Sequence, residues 1–227
     1  LSSDTMPRTI LTLLTIFLLS SCMSDDGYDG PVDMTYWDIA TFNGNIDGRA
    51  QFTVRQVNDS PEATLVARTA LDTGSENLAG KRMLIRYVPE SKKPYTSGTI
   101  TLQSASTVNQ SPTLIKSMNE YTDWARDRVY LYSVWRTGSY LNFNVSLTYD
   151  KEPRIFCIVA DETTLENDYP DLYLVHIMAN VTDYHDRRYY ASFDISKIWE
   201  RDNVNGVRLH VANSNLDKDI FTFDKAN

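Results

Sequence analysis

The sequence predicts an all-β protein, and three observations lead to this fold class. Apolar and polar residues alternate with period two through much of the chain, which is typical of half-buried strands. Turn-forming pairs such as Asn43-Gly44, Asp47-Gly48 and Ser97-Gly98 interrupt these runs at short intervals. Apolar residues follow helical spacing in one stretch only, residues 114–124.

Residues 1–21 are predicted to be a secretory signal peptide. Arg8 precedes the apolar run ILTLLTIFLL at 10–19, and small residues follow it, which is the order of an export signal. The run is shorter than the roughly 20 apolar residues that a membrane-spanning helix needs. It ends in L-S-S-C, which resembles the bacterial lipobox, so we predict that Cys22 is lipidated and anchors the protein to a membrane. The alternative is an ordinary cleaved signal with an incidental cysteine.

Residues 22–33 are predicted to be a flexible tether between the lipid and the fold, because they are polar and contain two glycines and a proline. Asp25 and Asp26 lie close behind the cysteine and resemble the acidic export tag of surface lipoproteins. This resemblance implies a lipid-anchored outer-membrane protein exposed at the cell surface. The alternative is attachment on the periplasmic face.

The first half of the remaining chain contains five short strand patterns, which together predict a small barrel. In order they are TYWDIATF at 35–42, AQFTVRQV at 50–57, ATLVART at 63–69, KRMLIRYV at 81–88 and GTITLQS at 98–104.

The stretch 114–124 is predicted to be a connector with a short helix, since Leu114, Ile115, Met118, Tyr121 and Trp124 recur every three to four residues. It separates two sets of strands. We therefore predict two modules, residues 34–118 and 119–227, that fold independently.

Strand patterns dominate the second module as well. In YLNFNVSLTY, at 140–149, the apolar residues Leu141, Phe143, Val145 and Leu147 share one face. RIFCIVA at 154–160 is continuously apolar, as central strands are. Further patterns are DLYLVHIMANV at 171–181 (Tyr173, Val175 and Ile177 on one face), YYASFDISKIW at 189–199, GVRLHVAN at 206–213 and DIFTFD at 219–224.

Composition bounds the classes of partner. With 42% hydrophobic and 23% charged residues the chain is globular, and its formal net charge of −8 disfavours nucleic acid as a partner. Only two cysteines are present, so a lipidated Cys22 leaves Cys157 without a partner for a disulfide within the chain. We interpret Cys157 as a small buried hydrophobic residue.

Several segments resemble the NigD-like lipoproteins. The family's W-x-x-G-x-Y-L-N strand is matched by Trp135, Gly138, Tyr140, Leu141 and Asn142. An F-D-[IL]-S segment is matched at 193–196, and GKRMLIRY at 80–87 stands where a G-x-R-V-x-V-x-Y strand is expected. The family's L-x-x-R-H-N segment is matched by His176 and Asn180, without the arginine.

The resemblance covers nearly all of the mature chain. It implies an N-terminal OB-like barrel followed by a C-terminal β-sandwich. The family takes its name from a protein of a bacteriocin operon, and its biochemical activity is undefined. An immunity or envelope-protection role is therefore one of the hypotheses that the resemblance supports.

No motif of a known catalytic or metal site is present, and no cofactor is predicted. His176 and His210 lie on predicted strands, on the face opposite the main apolar residues, so neighbouring strands could pair them in a metal site; the alternative is isolated histidines. His185 and the acidic run DETTLENDYPD at 161–171 are interpreted as solvated loops, although a cation could use several of these carboxylates.

The chain is rich in aromatic residues, with 14 tyrosines and 4 tryptophans. Aromatic rings stack on sugars, and we take Tyr36, Tyr87 and Tyr95 as candidate exposed residues that contact a ligand; packing within the β-structure is the alternative.

Three functions remain open. The first is a non-enzymatic binding or assembly module, whose partner is a protein or glycan at the cell surface. The second is the immunity role, and the third is a hydrolase with a dispersed pair of carboxylates.

Overall fold

The computed structural model describes residues 34–117, 126–149, 155–178 and 185–225. The predicted signal peptide, the tether and Cys22 lie outside these residues, as does most of the predicted helical stretch. All described residues belong to one compact unit that spans Met34–Asn227. Within the described part, no helix has the length and apolar composition needed to cross a membrane.

Five strands of the first half close into a barrel, in the order β1-β2-β3-β5-β4. They are β1 Tyr36–Ile46, β2 Arg49–Arg55, β3 Glu62–Ala67, β4 Arg82–Pro89 and β5 Gly98–Thr107. Neighbouring strands are antiparallel except for β3 and β5, which run parallel. A five-stranded barrel of this kind is the architecture of the OB fold, so the predicted OB-like barrel is confirmed.

The alternating pattern surrounds an apolar barrel core. In β2, Phe52 and Val54 are buried, whereas Thr53 between them is partly exposed. The hairpin between β1 and β2 turns at Asp47 and Gly48, which both have positive φ, 51° and 74°. These are the backbone angles of a type I′ turn, which matches the twist of paired strands and favours the Asp-Gly sequence.

The remaining strands form two sheets that enclose a second core. The five-stranded sheet has the order β13-β12-β10-β9-β6, and the three-stranded sheet has the order β11-β8-β7. The first contains β6 Leu114–Lys116, β9 Ile155–Asp161, β10 Asp171–Ile177, β12 Gly206–His210 and β13 Ile220–Asp224. The second contains β7 Tyr130–Thr137, β8 Tyr140–Tyr149 and β11 His185–Asp194, and the one-turn helix α1 Ser196–Trp199 follows. One apolar cluster joins the two sheets, which confirms the predicted β-sandwich.

Strand β8 buries both of its faces near its start. Phe143 and Val145 are fully buried in the sandwich core, as the period-two pattern predicts. On the other face Asn142 is fully buried, Asn144 is 9% exposed, and Ser146 is partly exposed. This polar face is therefore covered at one end and opens towards solvent at the other.

The face of β10 that enters the sandwich core differs from the simplest interpretation of its sequence. Leu172 and Leu174 belong to the core cluster of the sandwich. Tyr173, Val175 and Ile177, on the opposite face of the strand, do not. Both faces are apolar in sequence, so periodicity alone could not identify the core side.

The predicted helix is wrong where it can be compared with the structure. Residues 114–116 form strand β6, which pairs in parallel with β9, because pairing with a sheet edge overrides the local spacing. Upstream, Asn109 bridges Ala191 and Pro112 bridges Asp194. The chain from 109 to 116 therefore runs along the sandwich, although it precedes the predicted boundary at 118.

Candidate functional site

The junction between the barrel and the three-stranded sheet is built around the buried guanidinium of Arg82. Within the barrel, Arg82 donates hydrogen bonds to Thr41 Oγ1 at 3.0 Å and to Ile39 O at 3.1 Å. Across the junction it donates to Ser192 Oγ at 3.0 Å and to Asn142 Oδ1 at 3.2 Å. One side chain therefore ties strands of the two modules together.

The described groups that accept hydrogen bonds from this cation are all neutral. No carboxylate of the described residues lies within ion-pair distance of Arg82, and its guanidinium stands 4.5 Å from the centroid of the Tyr140 ring. Burial lowers the pKa of Arg82 to about 10, so the side chain stays charged at neutral pH. Five neutral oxygen acceptors and the ring face replace its hydration.

The segments that resemble the NigD-like lipoproteins meet at this junction. Tyr140 and Asn142 of W-x-x-G-x-Y-L-N contact Arg82, which is the first of the two arginines of GKRMLIRY. Gly138 has φ of +55° in the turn between β7 and β8, where glycine is favoured. These motif residues therefore hold the two modules together, a role that the sequence pattern alone did not reveal.

A cleft of about 620 Å³ opens beside the junction, between the barrel and the three-stranded sheet. Aromatic and polar side chains from both modules line this aromatic cleft: Trp37, Asp38, Ile39, Leu84, Trp135, Asn144, Arg188 and Tyr190. An adjoining recess of about 450 Å³ shares Leu84, Arg188 and Tyr190 with it. The two spaces form one candidate ligand site, of the size and mixed chemistry typical of binding pockets.

Strand register explains how the sheet supplies its side of the cleft. Ser133, Asn144 and Tyr190 are cross-strand neighbours on β7, β8 and β11. Arg188 lies two residues before Tyr190, so both side chains project from the same face of β11. This is the polar face of β8 at the point where it leaves the cover of the barrel.

On the barrel side, Asp38 is held by two tyrosines. Tyr95 donates its hydroxyl to Asp38 Oδ1 at 2.8 Å, and Tyr87 donates to Oδ2 at 2.9 Å. Burial raises the pKa of Asp38, and the two hydrogen bonds oppose that rise. Burial beside the carboxylate also raises the pKa of both tyrosines, so they remain donors at neutral pH.

The expectation that Tyr36, Tyr87 and Tyr95 are exposed is wrong for Tyr87, which is fully buried in the barrel core. Tyr36 and Tyr95 are half-buried and pack against that core. The barrel closes between β1 and β4, and this covers the face of β4 that carries Tyr87. The exposed aromatic residue at this site is Trp37, 56% exposed, whose register partner is Arg86.

A third space, of about 410 Å³, lies by the same junction and is lined by more acidic groups. Its carboxylates are Glu62, Asp194 and Glu200. Glu62 pairs with Arg55 at 2.9 Å. Glycoside hydrolysis needs two carboxyl groups across one cleft, whereas the described lining of the aromatic cleft contains Asp38 alone. A pair of carboxylates of the kind a hydrolase needs could therefore come from the lining of this third space, and not from the described lining of the aromatic cleft.

The two strand histidines do not converge. His176 lies on the core side of β10, is 1% exposed, and has its Nδ1 3.3 Å from Asp127 O. His210 stacks on Tyr173 and has its Nε2 2.7 Å from Asp171 Oδ1. The prediction that both histidines avoid the core is therefore wrong for His176, and His185 is placed at the start of β11.

The acidic run 161–171 is partly structured. Asp161 caps the one-turn 3-10 helix Glu162–Thr164, and Asp171 pairs with Arg208 at 2.8 Å. Among the described residues, no group of three or more acidic, histidine or cysteine side chains could hold a metal ion. Cys157 is a free, half-buried thiol on β9.

No family model and no curated protein matches the sequence. Solved structures do share the fold. A protein of unknown function, DUF1344, from Bacteroides vulgatus is 14% identical, with a TM-score of 0.68 over 85% of this chain and 92% of that one. A NigD-like immunity protein from Bacteroides caccae is 21% identical, with a TM-score of 0.57 over 83% and 91%.

A candidate lipoprotein from Bacteroides fragilis is 10% identical, with a TM-score of 0.56 over 85% of this chain and 98% of that one. Each of these neighbours spans both modules. The presence of a NigD-like protein among them agrees with the resemblance identified in the sequence, and at these identities the likeness concerns the fold.

Proposed function

We propose that the protein is a lipid-anchored envelope lipoprotein whose folded region binds a partner in the aromatic cleft without transforming it. The observation that carries the proposal is the cleft itself. Rings from both modules line it, and its described residues include one carboxylate, which is already engaged by two tyrosines. Such a lining suits recognition better than acid–base chemistry, which needs a second group.

The lipid anchor is supported by L-S-S-C behind the apolar run and by a fold neighbour that is itself a candidate lipoprotein. Replacement of Cys22 by Ala tests it. The unaltered protein should pellet with membranes and incorporate labelled palmitate, and the variant should do neither. Retention of the label by the variant would contradict the anchor.

Surface exposure is supported by Asp25 and Asp26 behind the cysteine. Proteinase added to intact cells should degrade the unaltered protein, and replacement of both aspartates by Ala should protect it. A periplasmic marker protein should stay intact throughout. Protection of the unaltered protein until the cells are lysed would place it on the periplasmic face.

Binding is tested with the full lipidated protein, purified in detergent and immobilised. Components of envelope extracts that bind the unaltered protein should be lost with the double variant Trp37→Ala, Tyr190→Ala. The matched control is Leu216→Ala, Ile220→Ala, which removes two exposed apolar side chains outside the cleft. Equal loss in both double variants, or in neither, would contradict a role for the cleft.

An immunity role is the second candidate, and it is favoured by one observation, the fold neighbour named a NigD-like immunity protein. It predicts a toxin encoded beside this protein's gene. Expression of the protein should then protect sensitive cells from that toxin, and the Trp37→Ala, Tyr190→Ala variant should not protect them.

A further inference from the structure

Arg188 is held in a fixed orientation at the edge of the aromatic cleft. Its Nε donates to Asn144 Oδ1 at 2.8 Å. Its guanidinium lies 4.8 Å from the ring centroid of Tyr132 and 5.7 Å from that of Tyr190. Two rings and one hydrogen bond therefore orient the guanidinium of Arg188 before a ligand binds, which reduces the conformational entropy lost on binding.

The outer end of this guanidinium meets no acceptor from the part of the chain that the structure describes. Among the described residues no acceptor is paired with the two Nη atoms of Arg188, and no carboxylate forms an ion pair with it. Because the side chain is exposed, those donors face solvent at the cleft. Two parallel N–H groups match the two oxygens of a carboxylate.

The charged side chains in the described lining of the cleft and its recess are two arginines and one aspartate, on a protein that is acidic overall. The whole chain has a formal charge of −8, whereas Arg188 lines the cleft and Arg187 and Arg188 line the adjoining recess. Arg86, on the barrel side, lies 5.5 Å from the centroid of the Trp37 ring, and its buried Nε has no hydrogen-bond partner among the described residues. The acidic side chain in the described lining is Asp38, and both of its carboxylate oxygens already accept hydrogen bonds from tyrosine hydroxyls. An anionic ligand is therefore complementary to this site.

We propose that the aromatic cleft binds an oligosaccharide that carries carboxylates, a uronate glycan. The guanidinium of Arg188 binds the sugar carboxylate, and the Trp37 and Tyr190 rings stack on the pyranose faces. A carboxylate oxygen of Asp38 accepts a hydrogen bond from a sugar hydroxyl. This inference rests on the proposed binding function and specifies its ligand.

The walls of the cleft favour a glycan over an extended acidic peptide. On the barrel side, β1 and β4 are each paired with strands on both edges, since the barrel is closed. No strand edge is free on that side to hydrogen-bond a peptide backbone, which is how extended peptides usually bind to sheets. On the sheet side β11 is an edge strand, so the test below includes an acidic peptide. The lining itself offers two flat indole rings, a tyrosine and single polar groups, which suit the flat faces of sugar rings.

Titration calorimetry on the full protein in detergent, with three uronate tetrasaccharides, tests the inference. The probes are tetragalacturonate, tetramannuronate and a hyaluronan tetrasaccharide. At least one should bind, and its affinity should fall about tenfold or more with Arg188→Gln, because a charge-assisted bidentate contact is lost. Arg128→Gln is the matched control; it removes an exposed arginine that lines neither space and should change the affinity less than about twofold.

Methyl esterification of the bound probe should weaken its binding as much as Arg188→Gln does. The two changes together should weaken it no further, since they remove the same contact. Trp37→Ala should weaken the acid and the ester equally, because stacking does not depend on the carboxylate. An ester that binds as tightly as the acid would overturn the proposed contact with Arg188.

Three outcomes show whether the proposed ligand class, the proposed binding function or both are wrong. Hexaglutamate that binds as tightly as the best uronate, with the same loss in Arg188→Gln, would overturn the glycan and indicate an acidic peptide. If no uronate binds but Trp37→Ala, Tyr190→Ala still abolishes capture from envelope extracts, the ligand class is wrong and the binding function stands. If that capture is unaffected too, both proposals fail.

Discussion

Arg136 and Asp59 form a two-pronged ion pair that joins the sandwich to the barrel. Arg136 Nη1 donates to Asp59 Oδ1 at 2.8 Å, and Nη2 donates to Oδ2 at 2.6 Å. Arg136 is only 1% exposed, whereas the Asp59 side chain is 45% exposed. The pair closes the junction at a second point, because Asp59 follows β2 of the barrel and Arg136 belongs to β7.

Asp59→Asn is expected to lower the free energy of unfolding at pH 7 by about 1–3 kcal/mol, because it leaves a buried guanidinium without its anion. Half exposure of Asp59 limits the loss, since water replaces part of the contact. Urea unfolding measures the change. The control Asp217→Asn removes an exposed carboxylate and should have almost no effect; equal effects of the two variants would contradict a specific pair.

The same pair predicts a pH dependence. Hydrogen bonds from Arg136 lower the pKa of Asp59 below its ordinary value of 3.8. The stabilisation of the folded state by this ion pair is therefore complete above pH 3.8, and it is lost as the pH falls through the lowered pKa of Asp59. The stability difference between the unaltered protein and Asp59→Asn should shrink below pH 3.8; a difference that grows on acidification would contradict the pairing.

Tyr95→Phe is expected to raise the pKa of Asp38 further, because the hydrogen bond from Tyr95 is the strongest influence that opposes burial. Titration of the Asp38 carboxyl carbon by NMR measures the shift. Tyr36→Phe is the control, since the Tyr36 hydroxyl contacts Met34 Sδ and not Asp38. An unchanged pKa in Tyr95→Phe would contradict the hydrogen bond.

If a protease cuts at the predicted boundary, within 118–128, the two fragments are expected to stay associated. The N-terminal fragment would keep β6, whose pairing with β9 and the Arg82 hydrogen bonds hold it to the sandwich. Native gel filtration should show one peak at the full mass, and urea should separate the fragments. Fragments that separate without denaturant would contradict this junction.

Cys157 is expected to react slowly with iodoacetamide at neutral pH. Burial raises the pKa of its thiol, and the thiolate is the reactive form. Mass spectrometry after timed alkylation should show rapid modification in urea only. Equally fast modification of the folded protein would contradict the burial.

The strands of both modules could be predicted because their pattern is local. Period two identified Phe143 and Val145 as core residues, and the Asp47-Gly48 pair marked the first hairpin. Strand β6 could not be predicted, because it forms by pairing with a distant strand. The burial of Tyr87 was missed although its signal is local, since the alternation along β4 places Tyr87 on the same face as the buried Met83 and Ile85.

The candidate site could be predicted only in part. Trp135 and Arg188 lie far apart in sequence, and the order of the strands brings them to one cleft. Arg82 resembles a solvated charge at the start of a strand, although it is buried. The motif segments around Arg82 and Asn142 drew attention to both residues, but their contact across the junction follows from the three-dimensional fold and not from the sequence pattern.

Strand β11 separates positions that maintain the fold from positions that can diversify. Ala191 and Phe193 are fully buried in the core, and the residues that alternate with them, such as Arg188 and Tyr190, line the cleft. An insertion or deletion of one residue would exchange the two sets and is therefore strongly disfavoured during evolution. Substitution at the cleft positions leaves the core residues of this strand in place, so the lining of the cleft can change without repacking the sandwich.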